Sequence, residues 1–159
     1  MDSPVIFLDI DGVLNHNAPF NDDKEVLVEK CADVLSEIVK VTGAKIVLHS
    51  GRRRFLDADM NTEDKPMKWV IERLGARGLK IYGCTPDLST PEIAEKQEFN
   101  KVKHLEIQAY VKENDITDYV ILDDHHFEGE AARHSYKVNS RNGLQKSDIA
   151  GILAMFGRA

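Results

Sequence analysis

The sequence has few cysteines and no long apolar run. Its 159 residues include only Cys31 and Cys84, which lie far apart and lack the spacing of a metal-binding pair. No apolar stretch approaches the ~18–20 residues of a membrane-spanning helix, and the N-terminus has no basic, hydrophobic leader. These absences favour a protein without disulfides in a reduced, cytoplasmic setting, and exclude a membrane span.

An excess of positive charge is also absent. The formal net charge is −6 at pH 7, which argues against stable nucleic-acid binding driven by charge and leaves room only for a local basic patch. Apolar residues make up 42% and charged residues 30% of the chain, as in an ordinary globular protein. The length predicts a single domain over residues 1–159.

Short apolar runs alternate with segments of helical periodicity. Helices are predicted at 27–41, 66–74, 99–113 and 146–156, and strands at 4–8, 44–49, 79–82, 119–122 and 135–138. This alternation predicts an α/β fold with a parallel sheet and right-handed crossovers. In the helix at 99–113, the predicted apolar face consists of Val102, Leu105, Ala109 and Tyr110.

Two acids follow the first apolar run directly. Asp9 and Asp11 end a strand whose continuous apolar character is typical of a central strand buried on both faces. Gly12 permits a sharp turn there. The side-chain alternation of a strand places both carboxylates on one side, at the edge of the sheet where ligands bind in α/β folds. Because close carboxylates repel each other, the pair predicts a cation such as Mg²⁺, which prefers oxygen ligands.

An EF-hand calcium loop shares part of this pattern but does not fit. Val13 stands at its fifth position and Phe20 at its twelfth, where the calcium loop needs an oxygen ligand and a glutamate. The segment 9–15 instead resembles the first signature of the haloacid dehalogenase (HAD) superfamily, in the Asp-x-Asp form found in its phosphatases.

The remaining HAD signatures follow in order along nearly the whole chain. Ser50 follows the second predicted strand, Lys103 lies on a predicted helix, and Asp123 and Asp124 follow the fourth strand. Each signature alone is weak, whereas the ordered set at predicted strand ends is specific.

The resemblance is strongest to small HAD proteins that include RNA-repair types. Their second signature reads Ser-x-Trp-Arg, which Ser50 and Arg53 fit, while Arg52 stands where the Trp is usual. The resemblance implies a three-layer Rossmann-like fold with a five-stranded sheet in the order 5-4-1-2-3 and no cap domain. It also implies an open site, suited to large phosphorylated substrates or covered by a neighbouring subunit.

Phosphoryl transfer needs a nucleophile, a proton for the leaving oxygen and positive charge around the phosphate. Asp9 is the candidate nucleophile, which would form an aspartyl-phosphate, and Asp11 is the candidate acid and base. The resemblance implies that Mg²⁺ is held by Asp9, the backbone carbonyl of Asp11 and Asp123, with Asp124 in support.

Four further residues are candidates for phosphate binding. Ser50 offers a hydroxyl and Lys103 a point charge. The backbone amide of Gly51 is a further donor, and Arg53 is included on the family match. Lys101 lies close enough to compete with Lys103, although Glu106 follows Lys103 at the offset usual in the family.

Other interpretations stay open at this stage. The arginine run at 52–54 is equally typical of a solvated surface. His125 and His126 suggest a transition-metal site, although adjacent histidines seldom bind the same ion. Cys84 has no neighbouring base in the sequence and is interpreted as structural.

The sequence therefore favours a Mg²⁺-dependent phosphomonoesterase acting on a nucleic-acid end, a nucleotide or another phosphate ester. The alternative is a phosphate-binding or signalling module without turnover. Response-regulator receiver domains carry a similar residue set, but their acid pair comes early and their lysine last, unlike the order here.

Overall fold

The computed structural model describes residues 3–16, 26–92 and 99–157, with the side chains of Phe99 and Asn100 excluded. The strands are β1 (Val5–Leu8), β2 (Lys45–Leu48), β3 (Ile81–Cys84), β4 (Tyr119–Asp123) and β5 (Ser135–Lys137). The α-helices are α1 (Glu29–Thr42), α2 (Lys65–Gly75), α3 (Phe99–Glu113), α4 (Glu130–Arg133) and α5 (Ile149–Met155). Short 3₁₀ helices cover Gly51–Phe55 and Lys146–Asp148.

The five strands form one parallel sheet with β1 at its centre. The order is β3-β2-β1-β4-β5, which confirms the α/β fold and the strand order that the resemblance implied. Val5 pairs with Lys45 on one side and with Tyr119 on the other, and the register continues without a shift to Leu8. The strand that comes first in the sequence is therefore the central strand of the sheet.

Both faces of β1 are buried, which explains its continuous apolar character. Ile6 and Leu8 pack on the face covered by α1, α2 and α5. Val5 and Phe7 pack on the other face, against residues of α3 and α4 such as Ile107 and Ala131. The rings of Tyr110 and Tyr119 meet Phe7 edge-on, at centroid distances of 5.7 and 5.5 Å.

The buried face of α3 differs from the prediction. Leu105 is 54% exposed, whereas Val102, Glu106 and Ile107 are buried. The buried face of the helix includes an acid, Glu106, because Arg53 pairs with its carboxylate in the interior. The apolar residue Leu105 is left outside.

Other predicted elements also differ from the structure. β3 begins two residues later than predicted, and the last predicted helix divides into a 3₁₀ turn and α5. The short helix α4 had no recognisable periodicity in the sequence. Between Gly51 and Glu92 the structure contains one 3₁₀ turn, α2, β3 and their loops. Residues 17–25, where a cap after the first signature would begin, lie outside the described residues.

Every strand ends at the same edge of the sheet, since all five run parallel. That edge therefore collects residues that follow β1, β2 and β4. No described helix is both long enough and apolar enough to cross a membrane.

Candidate active site

A lysine and two buried carboxylates meet at the carboxyl edge of β1 and β4. Lys103 Nζ donates to Asp123 Oδ2 at 3.1 Å and lies 3.5 Å from Asp9 Oδ2. Asp9 follows β1, Asp123 ends β4, and Lys103 reaches them from the first half of α3. The structure thus brings together three of the predicted residues from distant parts of the chain, and it turns Lys103 to the acids.

Asp123 accepts hydrogen bonds on both of its oxygens. Its Oδ1 is 2.8 Å from the backbone N–H of His125 and 2.8 Å from His125 Nδ1. The buried ring of His49 places Nε2 3.3 Å from Asp123 Oδ2, without hydrogen-bond geometry. Burial opposes ionisation of Asp123, but the His125 hydrogen bonds and the charge of Lys103 hold its pKa far below the usual range.

The pKa of Asp9 moves in the opposite direction. Burial raises it to about 7, and the neighbouring charges of Asp123 and Asp124 add to the rise while Lys103 opposes it. Burial lowers the pKa of His49 to about 4, so its ring is neutral at pH 7. The site contains more acid than one lysine neutralises.

The acid cluster fits a divalent cation. Ligand atoms of Asp9, Asp123, Asp124 and His125 all lie within 4.8 Å of one another. Asp124 Oδ1 is buried without a hydrogen bond, although His125 Nδ1 is 3.1 Å away. Three carboxylates supply the oxygen donors that a hard cation such as Mg²⁺ prefers. The side chain of Asp11 is not in this group.

Asp11 lies at the mouth of the site, in a turn built by its neighbours. Asn15 Nδ2 donates to Asp11 Oδ1 at 3.1 Å, and Asn15 Oδ1 accepts from the N–H of Gly12 at 2.9 Å. The guanidinium of Arg52 donates to both oxygens of Asp11, at 3.0 and 3.1 Å. Against the effect of burial, the hydrogen bonds from Arg52 and Asn15 hold the pKa of Asp11 below its usual value.

Ser50 follows β2 and caps the 3₁₀ turn at Gly51–Phe55. Its Oγ accepts from the N–H of Arg52 at 3.1 Å, and the residue is buried. This capping places the hydroxyl and the N-terminal amides of the turn at the edge where β1 and β4 also end. The location agrees with the predicted phosphate-binding role of Ser50 and Gly51, which stays a prediction.

Arg53 is directed into the protein. Its Nη1 donates to the carbonyls of His49 and Ser50, at 3.2 and 3.1 Å, and its Nη2 binds the buried carboxylate of Glu106. Glu106 Oε2 also accepts from the N–H of Leu88 at 2.9 Å. The direct binding of phosphate by Arg53 therefore stays a prediction. In the structure, Arg53 binds Glu106 and two backbone carbonyls.

Four residues around the site were missed or only partly interpreted from the sequence. These are His49, Arg52, Glu106 and His125. The apolar run that contains His49 gave no signal of a site, whereas the histidine beside the acid pair did draw attention to His125. Burial of Glu106 against Arg53 had no sequence pattern that distinguished it from a surface helix position.

The parallel sheet, with Asp9, Asp123 and Lys103 together at its carboxyl edge, defines a domain of the HAD type. The chain belongs to the family described as the HAD domain in Swiss Army Knife RNA repair proteins, whose model matches residues 5–149. No curated protein and no solved structure matches the chain. Membership of this family supports a phosphatase-like function of the HAD type.

Proposed function

We propose that the protein is a Mg²⁺-dependent phosphomonoesterase that acts through an aspartyl-phosphate on Asp9. The observation that carries the proposal is the contact of Lys103 Nζ with both Asp9 and Asp123, at 3.5 and 3.1 Å. A buried carboxylate beside a fixed cation, at the ligand-binding edge of a parallel sheet, is suited to nucleophilic attack on a phosphate ester.

The first step transfers the phosphoryl group to the protein. A carboxylate oxygen of Asp9 attacks phosphorus, the bond from phosphorus to the ester oxygen breaks, and Asp11 donates a proton to the departing alcohol. In the second step a water attacks the same phosphorus as Asp11 accepts its proton. The phosphorus–Asp9 bond then breaks, which releases phosphate and restores both acids.

The surrounding residues would bind and orient the phosphate. Lys103 offsets its negative charge, and the Ser50 hydroxyl and the Gly51 amide offer hydrogen bonds to its oxygens. Asp9 and Asp123 would hold Mg²⁺ with the backbone carbonyl of Asp11, and Asp124 would support them. When bound, the ion neutralises charge on the carboxylates and on the phosphate.

The phosphorylated end of an RNA is the substrate that we propose to test first. The matched family is named for RNA repair proteins, and a phosphorylated RNA end would present a phosphomonoester to the sheet edge where Asp9 and Ser50 lie. The net charge of −6 does not support strong binding to the rest of the strand. Recognition is therefore proposed to centre on the terminal phosphate and its nucleotide.

The test is phosphate release from p-nitrophenyl phosphate and from oligoribonucleotides phosphorylated at the 3′ or 5′ end. We expect turnover with Mg²⁺, none with EDTA, and a loss of at least ~10³-fold in kcat for Asp9→Asn, since removal of a nucleophile has effects of that order or larger. The exposed Asp59 provides a control variant, Asp59→Asn, with wild-type turnover. Metal-independent release, or full activity of Asp9→Asn, would contradict the proposal.

A further inference from the structure

Arg52 forms a two-point ion pair across the mouth of the site. Its Nε is 3.0 Å from Asp11 Oδ2, and its Nη2 is 3.1 Å from Asp11 Oδ1. Its backbone N–H binds Ser50 Oγ. Arg52 therefore spans the distance between the proposed acid and the proposed phosphate-binding hydroxyl.

In this arrangement the Asp11 carboxylate is held by Arg52. Both of its oxygens accept hydrogen bonds from the guanidinium, and Oδ1 also accepts from Asn15. A phosphate that reaches Ser50 therefore meets the guanidinium of Arg52, which already holds one anion in a two-point geometry.

The phosphate of the substrate is the natural exchange partner for Arg52. Phosphate oxygens match the planar guanidinium in the same two-point geometry as a carboxylate. The ion pair is partly exposed, with Arg52 at 29% and Asp11 at 56%, and pairs of this kind contribute little net stability. Exchange of the Asp11 carboxylate for a phosphate therefore costs little free energy.

The other cations described at this edge are less available. Lys103 contacts two buried acids. Arg53 is 11% exposed, and its guanidinium binds Glu106 and two backbone carbonyls. Of the described guanidinium groups beside Ser50 and Asp11, that of Arg52 faces the mouth of the site.

We infer that Arg52 binds the substrate phosphate, exchanging its two-point pair with Asp11 for the phosphate oxygens as the substrate arrives. Arg52 is then a substrate-binding residue whose pair with Asp11 opens when phosphate occupies the site. The inference rests on the proposed function, and it assigns a role to the position where the resembling proteins carry Trp.

The test compares the wild type with Arg52→Gln, Arg52→Lys and the control Arg54→Gln, whose parent side chain lies beside the Phe55 ring in the same turn. Binding of inorganic phosphate is measured by calorimetry with Mg²⁺ present, and KM and kcat are measured with a phosphorylated oligoribonucleotide. We expect Arg52→Gln to weaken phosphate binding and raise KM roughly 10- to 100-fold, as for loss of a charge-assisted hydrogen-bonded contact. The change in kcat should be smaller.

The two remaining variants separate charge from geometry. Arg52→Lys should recover part of the affinity, because lysine keeps the charge but not the two-point geometry, and Arg54→Gln should match the wild type. Unchanged phosphate affinity in Arg52→Gln, equal losses in Arg52→Gln and Arg54→Gln, or a loss confined to kcat would each overturn the inference.

The binding measurement also separates this inference from the proposed function. Wild type that binds phosphate through Arg52 but does not turn over any phosphate ester contradicts the phosphatase and leaves the phosphate-binding role of Arg52 supported. Wild type that turns over substrate with the same KM as Arg52→Gln contradicts the role of Arg52 alone. Failure of the wild type to bind phosphate contradicts the role of Arg52, whereas the phosphatase is judged by turnover alone.

Discussion

Gly12 illustrates how one small residue determines the shape of the acid site. Its φ is +85°, and a Cβ at this position would lie 2.7 Å from Asp124 Oδ2. The residue therefore needs both a left-handed backbone and an empty side-chain position. Because Asp124 is a candidate supporting residue for the metal, the space beside Gly12 belongs to the site.

We predict that Gly12→Ala weakens Mg²⁺ binding by about 10-fold or more, as displaced supporting groups around metals commonly do. Gly43→Ala is the matched control, since Gly43 has φ +67° with no atom within 4 Å of a Cβ. Both variants should lose ~1–2 kcal/mol of stability through backbone strain, and only Gly12→Ala should lose metal affinity in calorimetry. Equal Mg²⁺ affinity in the two variants would contradict this role of Gly12.

At the residue scale, the sequence predicted where the acids lie better than it predicted which residues pair with them. Asp9 and Asp123 follow apolar strands, so their location at one sheet edge was predictable from the strand pattern alone. The pairing of Arg52 with Asp11 was not, because a flexible arginine beside a turn can reach several acids and only the three-dimensional arrangement selects one.

At the scale of elements, the Arg53–Glu106 pair joins three segments of the chain. Arg53 lies in the turn after β2, Glu106 lies on α3, and Glu106 also accepts from the N–H of Leu88 in the loop after β3. The Arg53 and Glu106 side chains are 11% and 2% exposed. The pair therefore fixes the turn that follows Ser50 against the helix that carries Lys103.

We predict that Arg53→Met lowers the free energy of unfolding by ~3–5 kcal/mol, because it leaves the buried Glu106 carboxylate without its cation. Arg54→Met, at the neighbouring exposed position, should change it by less than ~0.5 kcal/mol. Urea unfolding monitored by circular dichroism measures both values. An Arg53→Met protein of wild-type stability but weak phosphate affinity would instead support the direct phosphate contact predicted from the sequence.

The same pair explains where the prediction of elements was wrong. Periodicity placed Leu105 on the buried face of α3, but the helix buries Glu106 in its place. An apolar pattern assumes that acids face water, and this assumption fails where a buried arginine offers a better partner. The helix bounds, 99–113, depend on local periodicity and were confirmed.

At the scale of the whole molecule, the excess of acid at the sheet edge predicts that the folded protein gains stability from Mg²⁺. Binding only to the folded state at 100 times Kd adds about 2.7 kcal/mol to the free energy of unfolding. The gain at a fixed Mg²⁺ concentration should be smaller at pH 6 than at pH 8. The pKa of Asp9 is raised to about 7, so below that value a proton must leave before the ion binds.

Thermal unfolding with Mg²⁺ and with EDTA at both pH values measures this effect, and Asp123→Asn is the control variant that should lose most of the gain. A larger gain at pH 6 than at pH 8, or an equal gain in Asp123→Asn, would contradict the assignment of the acids.

The topology of the sheet was predictable only in part. Alternating strands and helices indicated a parallel sheet, but the order of the strands came from the resemblance, because local patterns contain no information about which strands are neighbours. The observed order, with β1 between β2 and β4, depends on packing over the whole chain.

The central position of β1 has a consequence for synthesis of the protein. Asp9 is translated before its partner Lys103, which lies 94 residues later in the chain. At the usual ~5–20 residues per second of translation, the nascent chain waits roughly 5 to 20 seconds for that lysine. During this interval the apolar strand β1 lacks its β4 neighbour and is available for intermolecular association.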